Sequence, residues 1–324
     1  MTMPGVTLAG AEALAPAETP LQQVWRAFRK DRLAMVGLAV LAALIVLALL
    51  GKLLTEWWVV FDPTTVRLPD KLLPPLSAPT SAIASALRPP LGTYPFGTDE
   101  LGRNVFARML QGSFVSLSVG IVAVSISLGI GIAVGGLAGY YGQRKLGPIS
   151  VDTLLMRFTD VVLCFPTFFL ILTVVALLPP SIYNIMIVIG ITSWMGTARF
   201  VRAEFMALRE QDFVTAAKAL GLPEWRIIFR HMVPNAMAPV LVSATIDVAY
   251  AILTESALSF LGFGVRPPYA TWGNILADGR NYIFDAPWLF VIPGSAILVV
   301  VLAFNLVGEG LRDAMNPKLR KRAS

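Results

Sequence analysis

Apolar residues in this chain run in long blocks instead of alternating with polar ones. Six blocks stand out: Leu33–Leu54, Phe114–Tyr140, Leu154–Leu178, Ile182–Phe200, Ala236–Phe263 and Trp288–Gly310. About 20 apolar residues cross a hydrocarbon layer of about 30 Å as a helix, so the pattern predicts six transmembrane helices and an all-α integral membrane protein. The second block is rich in Gly and Ser, which favours close helix packing. Pro166 predicts a kink in the third. The fifth carries Asp247 and Glu255, and the sixth stays apolar until Asn305 and Glu309.

The intervening stretches divide the chain. Residues 1–20 read as a disordered tail. Residues 21–32 read as an amphipathic helix with Trp25 and Phe28 toward lipid, or else as an extension of the first span. Residues 55–113 form a Pro-rich excursion ending in "FGTDELGRNVFARMLQG", where Thr98 is expected to cap a short helix beginning at Asp99. Val105, Phe106, Met109 and Leu110 would share that helix's apolar face. Residues 114–310 hold the remaining spans, with a polar insert at 202–235. Residues 264–287 form a second loop, and 311–324 a basic tail whose "KLRKR" suits anionic lipid.

Composition supports the membrane reading. Of 324 residues, 56% are hydrophobic and only 14% charged, with a mean hydropathy of +0.70; soluble domains carry about 25% charged residues. The net charge of +6 is scattered between apolar runs and forms no stripe, which argues against nucleic acid. The single cysteine, Cys164, excludes an internal disulfide. With six spans both termini share a side. Placing them inside puts 18 of the 26 Lys and Arg residues inside, so both termini are expected to be cytoplasmic.

The insert "DFVTAAKALGLPEWRIIFRHMVPN" (212–235) would then also lie inside. Helix formers dominate from Arg202 to Leu220. Gly221 suits a left-handed C-cap, and Pro223 the first turn of a following helix. The result is two helices hinged at Gly221. Ala216, Ala217, Ala219 and Gly221 leave a slim surface, Phe213, Leu220 and Leu222 offer apolar anchors, and Lys218 and Glu224 supply a polar rim. Such an elbow fits a partner's groove; a plain connector lying on the membrane is the other reading.

Ionisable residues inside spans are costly and often functional. Asp247 and Glu255 are eight positions apart and are expected on broadly one side, flanked by Ser243 and Tyr250. That face would line a passage, with a carboxylate meeting a substrate amine; a structural role is the alternative. The only histidine, His231, has no partner in sequence, and no HExxH, CxxC or GxSxG pattern occurs. "LGKLL" at 50–54 is not a nucleotide-binding loop.

"TAAKALGLPEWRIIFRHMVPN" closely resembles the cytoplasmic EAA-type motif of ATP-binding-cassette (ABC) importer permeases. Ala216, Ala217, Gly221, His231, Pro234 and Asn235 fit, whereas Thr215 stands where Glu is usual. "FGTDELGRNVFARMLQGSFVSLSVG", "TESALSFLGFGVRPPYATWGNIL" and "FNLVGEGLRDAMNPKLR" look like the C-type permease of dipeptide, oligopeptide and nickel importers. The resemblance implies a type I ABC importer permease fold (MetI-like) in a bacterial inner membrane. It implies a second permease subunit, two ATPase subunits and an extracytoplasmic binding protein as partners. ATP and Mg would be held by the ATPases, leaving this chain without a cofactor, a metal or a catalytic residue. In the family the insert is the coupling helix, which gives Phe213, Thr215, Ala216, Ala217, Lys218, Leu220, Gly221, Leu222 and Glu224 the ATPase-coupling role. Tyr269, Trp272 and Tyr282 of the outer loop would contact the binding protein, or else anchor at the interface. Di- or oligopeptides are the expected substrates, with nickel chelates, haem or oligosaccharides as alternatives. An intramembrane protease would need a Ser with His or facing Asp residues, and a stand-alone transporter would show internal repeats; neither pattern is present.

Overall fold

A computed structural model of the protein describes residues 20–80 and 88–315. The expected tails fall largely outside these residues, including the basic "KLRKR". Helix α1 (Pro20–Phe28) is followed by α2 (Arg32–Lys52), and the two are separate. Asp31 causes the break: its carboxylate accepts the Leu33 and Ala34 N–H groups at 2.9 and 3.2 Å and starts a new helix. Trp25 is exposed, but Phe28 is only 2% exposed. It packs beneath Gly310 instead of facing lipid, because α1 folds back on the last helix.

Helix α3 (Val105–Tyr141) is one rod of 37 residues, about 55 Å at 1.5 Å per residue. The short separate helix expected from Asp99 does not form. Asn104 is the cap, accepting Phe106 N–H at 3.0 Å. Thr98 instead accepts Leu73 N–H at 2.8 Å and donates to the Asp70 carbonyl at 2.5 Å, tying the excursion to itself. A two-stranded ribbon, β1 (Lys145–Leu146) and β2 (Ile149–Ser150), leads into α4 (Val151–Leu163) and α5 (Thr167–Leu177). These two are bent by 77° around Pro166. The proline lacks an N–H and clashes with the preceding turn, so the apolar block breaks where the sequence predicts.

Helix α6 (Ile182–Arg209) outlasts its apolar block by more than two turns. Then come α7 (Asp212–Ala219), the short α8 (Glu224–Arg226), a π-helical stretch (Ile227–Met232) and α9 (Val233–Phe260). From Glu224 to Phe260 the helix is continuous. The chain closes with α10 (Trp272–Gly279) and α11 (Trp288–Met315). Among the described residues, five helices are long and apolar enough to cross a membrane, and the spans number six when the bent α4–α5 pair counts as one.

The most extensive packing is α3 against α6, and small residues make it possible. A Cβ on Gly139 would sit 2.5 Å from the Phe205 Cβ and 2.8 Å from the Arg202 carbonyl. Gly131 and Gly135, each one turn earlier, meet Thr197 and Ala198 equally closely. In lipid the hydrophobic drive between helices is weak, and such backbone contact replaces it. Around this pair lies one continuous apolar core including Ile185, Ile189, Ile252 and Leu289.

Candidate functional site: an exposed elbow and a pocket

The elbow rests on its own small core. Val214 and Ala217 of α7 are buried with Phe205, Ile227, Met232 and Tyr140. The backbone then reverses in a Schellman motif. Gly221 takes φ +71°, its N–H donates to the Lys218 carbonyl at 3.0 Å, and Leu222 N–H donates to the Ala217 carbonyl at 3.2 Å. Glycine alone occupies that left-handed region without a Cβ penalty. Leu222 packs half-buried against the core through Ala217's side of the turn. Helix α6 does not run to Leu220 as its propensity implies; it stops at Arg209, and Gln211 opens α7 one short turn later.

Phe213, Thr215, Ala216, Lys218, Leu220, Gly221 and Glu224 are exposed, Leu220 at 80%. Ala217 is the exception at 6%. The sequence places it on the slim outer surface, but three residues beyond Val214 it falls on the same inward face. Charges brace the elbow from behind. Lys218 Nζ lies 5.5 Å from the Tyr140 ring, and Arg144 pairs with Glu224 at 3.4 Å. Arg202 pairs with Asp152 at 2.6 Å and Arg199 with Asp160 at 2.5 Å, clamping the end of α6 to α4. His231 contributes its backbone carbonyl, which accepts Asn235 Nδ2 at 2.6 Å.

Asp247 faces a small pocket of about 60 Å³ between α3, α6 and α9. Four hydroxyl side chains line it as well: Ser127, Ser193, Tyr250 and Thr254. Glu255 does not join them. Eight residues advance a helix by two turns plus roughly 80°, which swings Glu255 away. It is fully buried, and its Oε1 accepts from Ser259 Oγ at 2.7 Å. Ser243 also lies outside the pocket lining.

On the opposite end, Tyr269 is 48% exposed and Tyr282 is partly covered, with Lys71 Nζ 5.8 Å from its ring. Trp272 is 1% exposed and cannot meet a docking protein in this structure. It opens α10, whose capping box of Thr271 and Asn274 presses the indole against Gly112. Nearby lies a network that the spacing of charges alone did not reveal. Asp99 accepts Arg103 Nε at 2.7 Å and Arg108 Nη1 at 2.6 Å, and both arginines also reach Asp278, at 3.2 and 2.9 Å. The only sequence signal is the four-charge run from Asp99 to Arg108; the fourth partner comes from about 170 residues away.

A further polar cluster sits in the excursion. Asp70 is buried, and burial by itself would raise its carboxyl. Hydrogen bonds from Thr80 and Tyr94 and the Arg67 charge outweigh that and hold it below the usual carboxylate range. Tyr94 moves the other way: burial, then its bond to Asp70 at 2.6 Å, pushes its hydroxyl up.

A mainly helical chain with five to six spans among the described residues, and an exposed elbow between two of them, defines a polytopic membrane protein. The chain matches the model of the binding-protein-dependent transport system inner membrane component over residues 131–321, and that of the N-terminal TM domain of oligopeptide transport permease C over residues 19–75. It is 38% identical to the dipeptide transport system permease protein of Alkalihalophilus pseudofirmus, over 94% of this chain and 92% of the relative. It is 39% identical to the di/tripeptide transport system permease protein of Pseudomonas aeruginosa, over 94% of each. With the oligopeptide transport system permease protein of Bacillus subtilis it shares 35% identity, over 91% of this chain and 88% of that one. Among solved structures, an inward-facing MetNI methionine ABC transporter overlaps 65% of this chain and 98% of its own, at 18% identity and a TM-score of 0.49. The chain belongs to the family of binding-protein-dependent transport system inner membrane components.

Proposed function

We propose that this chain is a permease subunit of an ATP-driven importer of di- and oligopeptides. It forms half of the passage, a second permease forms the other half, and a binding protein delivers substrate from outside. Two ATPase subunits hold ATP and Mg and dock at the elbow, which faces the cytoplasm with both termini. Family membership supports the transport role, and the names of the relatives support the peptide. The observation that carries the coupling role is the elbow itself. A left-handed turn holds Phe213, Ala216 and Leu220 outward on a rigid buried base of Val214 and Ala217.

ATP must bind one arrangement of the complex better than another for the cycle to advance. Closure of the ATPases would displace α7, and the continuous helix from Glu224 to Phe260 carries that displacement past Asp247. In the open passage Asp247 offers a carboxylate to the amino terminus of a peptide, with Tyr250 beside it. Nickel chelates, haem and oligosaccharides lack that shared amine, which favours peptides.

The test is uptake of a labelled dipeptide into proteoliposomes holding the whole complex. Ala216→Arg places a bulky cation on the exposed face and is expected to release the ATPases while the permease pair stays assembled. Ala217→Arg buries a charge in the elbow core and is expected to unfold the elbow, which proteolysis at residues 210–223 would report. Normal uptake by Ala216→Arg would overturn the coupling role; absence of dipeptide uptake by the unmodified complex would overturn the substrate.

A further inference from the structure

The limb beyond the hinge carries side chains that the coupling role leaves unused. Trp225 and Phe229 are 60% and 68% exposed, one turn apart. Arg226 and Arg230 follow each of them by one residue and are exposed too. Arg226 lies 5.4 Å from the Trp225 ring and makes no ion pair among the described residues. The opposite side of this limb, Ile227 and Met232, is buried in the elbow core, so the orientation of the exposed side is fixed.

Two observations identify what covers it. First, the exposed row continues upward. Arg226, Arg230, Pro234, Ala238 and Leu241 are exposed and spaced three or four residues apart, so a cationic row passes directly into an apolar stripe of a membrane-spanning helix. The stripe lies on the side of α9 away from Asp247 and Tyr250: Leu241 and Tyr250 are nine residues apart, roughly half a turn out of phase. Second, the helix is too long for the hydrocarbon alone. Its 37 residues extend about 55 Å, against about 30 Å of hydrocarbon and about 40–45 Å with both headgroup layers, so its first turns leave the hydrocarbon and reach the headgroups or the water just beyond them. Aromatic rings beside arginines at that depth match a phospholipid interface: the rings enter at the acyl boundary, and the guanidinium groups reach phosphates.

We infer that Trp225, Arg226, Phe229 and Arg230 form an anionic-phospholipid site on the membrane surface, which anchors the lower limb of the elbow. Given the coupling reading above, the hinge at Gly221 then joins a motor-bound limb, α7, to a lipid-bound limb. Anionic lipid would stiffen the second limb and raise the share of ATP turnover that is coupled to uptake.

The test uses the full complex in nanodiscs of phosphatidylcholine, with or without phosphatidylglycerol. A Phe229→Cys, Cys164→Ser chain carries a fluorophore at position 229. Quenching by spin-labelled lipid, with little from a water-soluble quencher, is the expected result. Quenching by the soluble agent alone, or shielding from both because a protein covers the site, overturns the proposal. Separately, phosphatidylglycerol is expected to increase substrate-stimulated ATP turnover several-fold. The Arg226→Gln, Arg230→Gln pair is expected to lose that increase while retaining bound ATPase subunits. An unchanged lipid response in that variant overturns the charged half of the site. Loss of the ATPases would instead place the two arginines in the motor interface and overturn the lipid assignment. The quenching result does not depend on ATPase docking, so a failure of the coupling reading is separable from a failure of this one.

Discussion

Gly221→Ala adds one methyl group at a position where a Cβ meets nothing within 4 Å. Its whole cost is therefore conformational. An L-residue in the left-handed region costs about 1–2 kcal/mol, and Asn costs less because its side chain bonds locally. That energy bears on the closed elbow, whose reversal depends on two backbone bonds, Gly221 to Lys218 and Leu222 to Ala217. Gly221→Pro is more severe: it fixes φ near −65° and deletes the first of those bonds. The turn at φ +71° is then unreachable, and α7 must separate from the limb that begins at Glu224.

If the ATPases bind only the closed elbow, a penalty of about 1–2 kcal/mol lowers their affinity by at most roughly 5- to 30-fold. The expected order of ATPase affinity is Gly, then Asn, then Ala, with Pro at background. The assay is titration of purified ATPase subunits onto detergent-solubilised permease pairs, followed by dipeptide uptake and ATP turnover in proteoliposomes. Because the methyl clashes with nothing, Gly221→Ala should insert and melt within a few degrees of the parent. Full affinity in a folded Gly221→Pro chain would refute the reasoning, as would an Ala variant weaker than the Pro variant.

Three other outcomes are expected. Asp99→Asn leaves two buried guanidinium groups with only the half-exposed Asp278; breaking such a buried pair costs about 3–5 kcal/mol, and the thermal midpoint of the purified permease should fall by several degrees. Asp70, whose folded pKa is depressed, contributes stability that is complete above its unfolded value of about 3.9 and is lost as pH falls through the lower folded value. Protease resistance of the excursion should therefore decline on acidification below about pH 4, and Asp70→Asn should flatten that profile. Ala238→Gly removes an exposed methyl and about 0.5–1 kcal/mol of local helix stability; uptake per ATP should drop while ATPase affinity stays constant.

Block lengths made most of the spans legible, because the bilayer imposes a length and apolarity that no soluble fold requires. The Pro166 bend and the Gly221 turn were equally legible, since each follows from one residue's allowed φ. Side-chain orientation was harder. Ala216 and Ala217 have the same composition and near-identical neighbours, yet one is exposed and one is buried. The difference comes from which face of α7 meets Phe205 and Met232, a tertiary fact. Trp272 shows the same limit: an aromatic in an outer loop looks like an interface residue until α10 folds it against Gly112. The Thr98 cap failed because Asp70 and Leu73 competed for its hydroxyl. A local motif lost to a contact about 25 residues away.

The two carboxylates of α9 show what this placement means for transport. Their separation by roughly 80° gives one helix two different environments. Asp247 looks into a hydroxyl-lined pocket shared with α3 and α6, while Glu255 is sealed against the α10 side and bonded to Ser259. The bond from Ser259 stays within α9, but Gly273 of α10 packs directly against Ser256 and Ser259 and holds this end of the helix, and the elbow engages the other end. A rod held at one end and driven at the other tilts more than it translates, and the largest change in a neighbouring gap falls between the fixed point and the load. Asp247 occupies that middle section. A displacement at α7 would therefore open or close the Asp247 pocket without having to break the buried contacts of Glu255. That arrangement needs the helix from Glu224 to Phe260 to stay stiff, and softening it at Ala238 tests this directly.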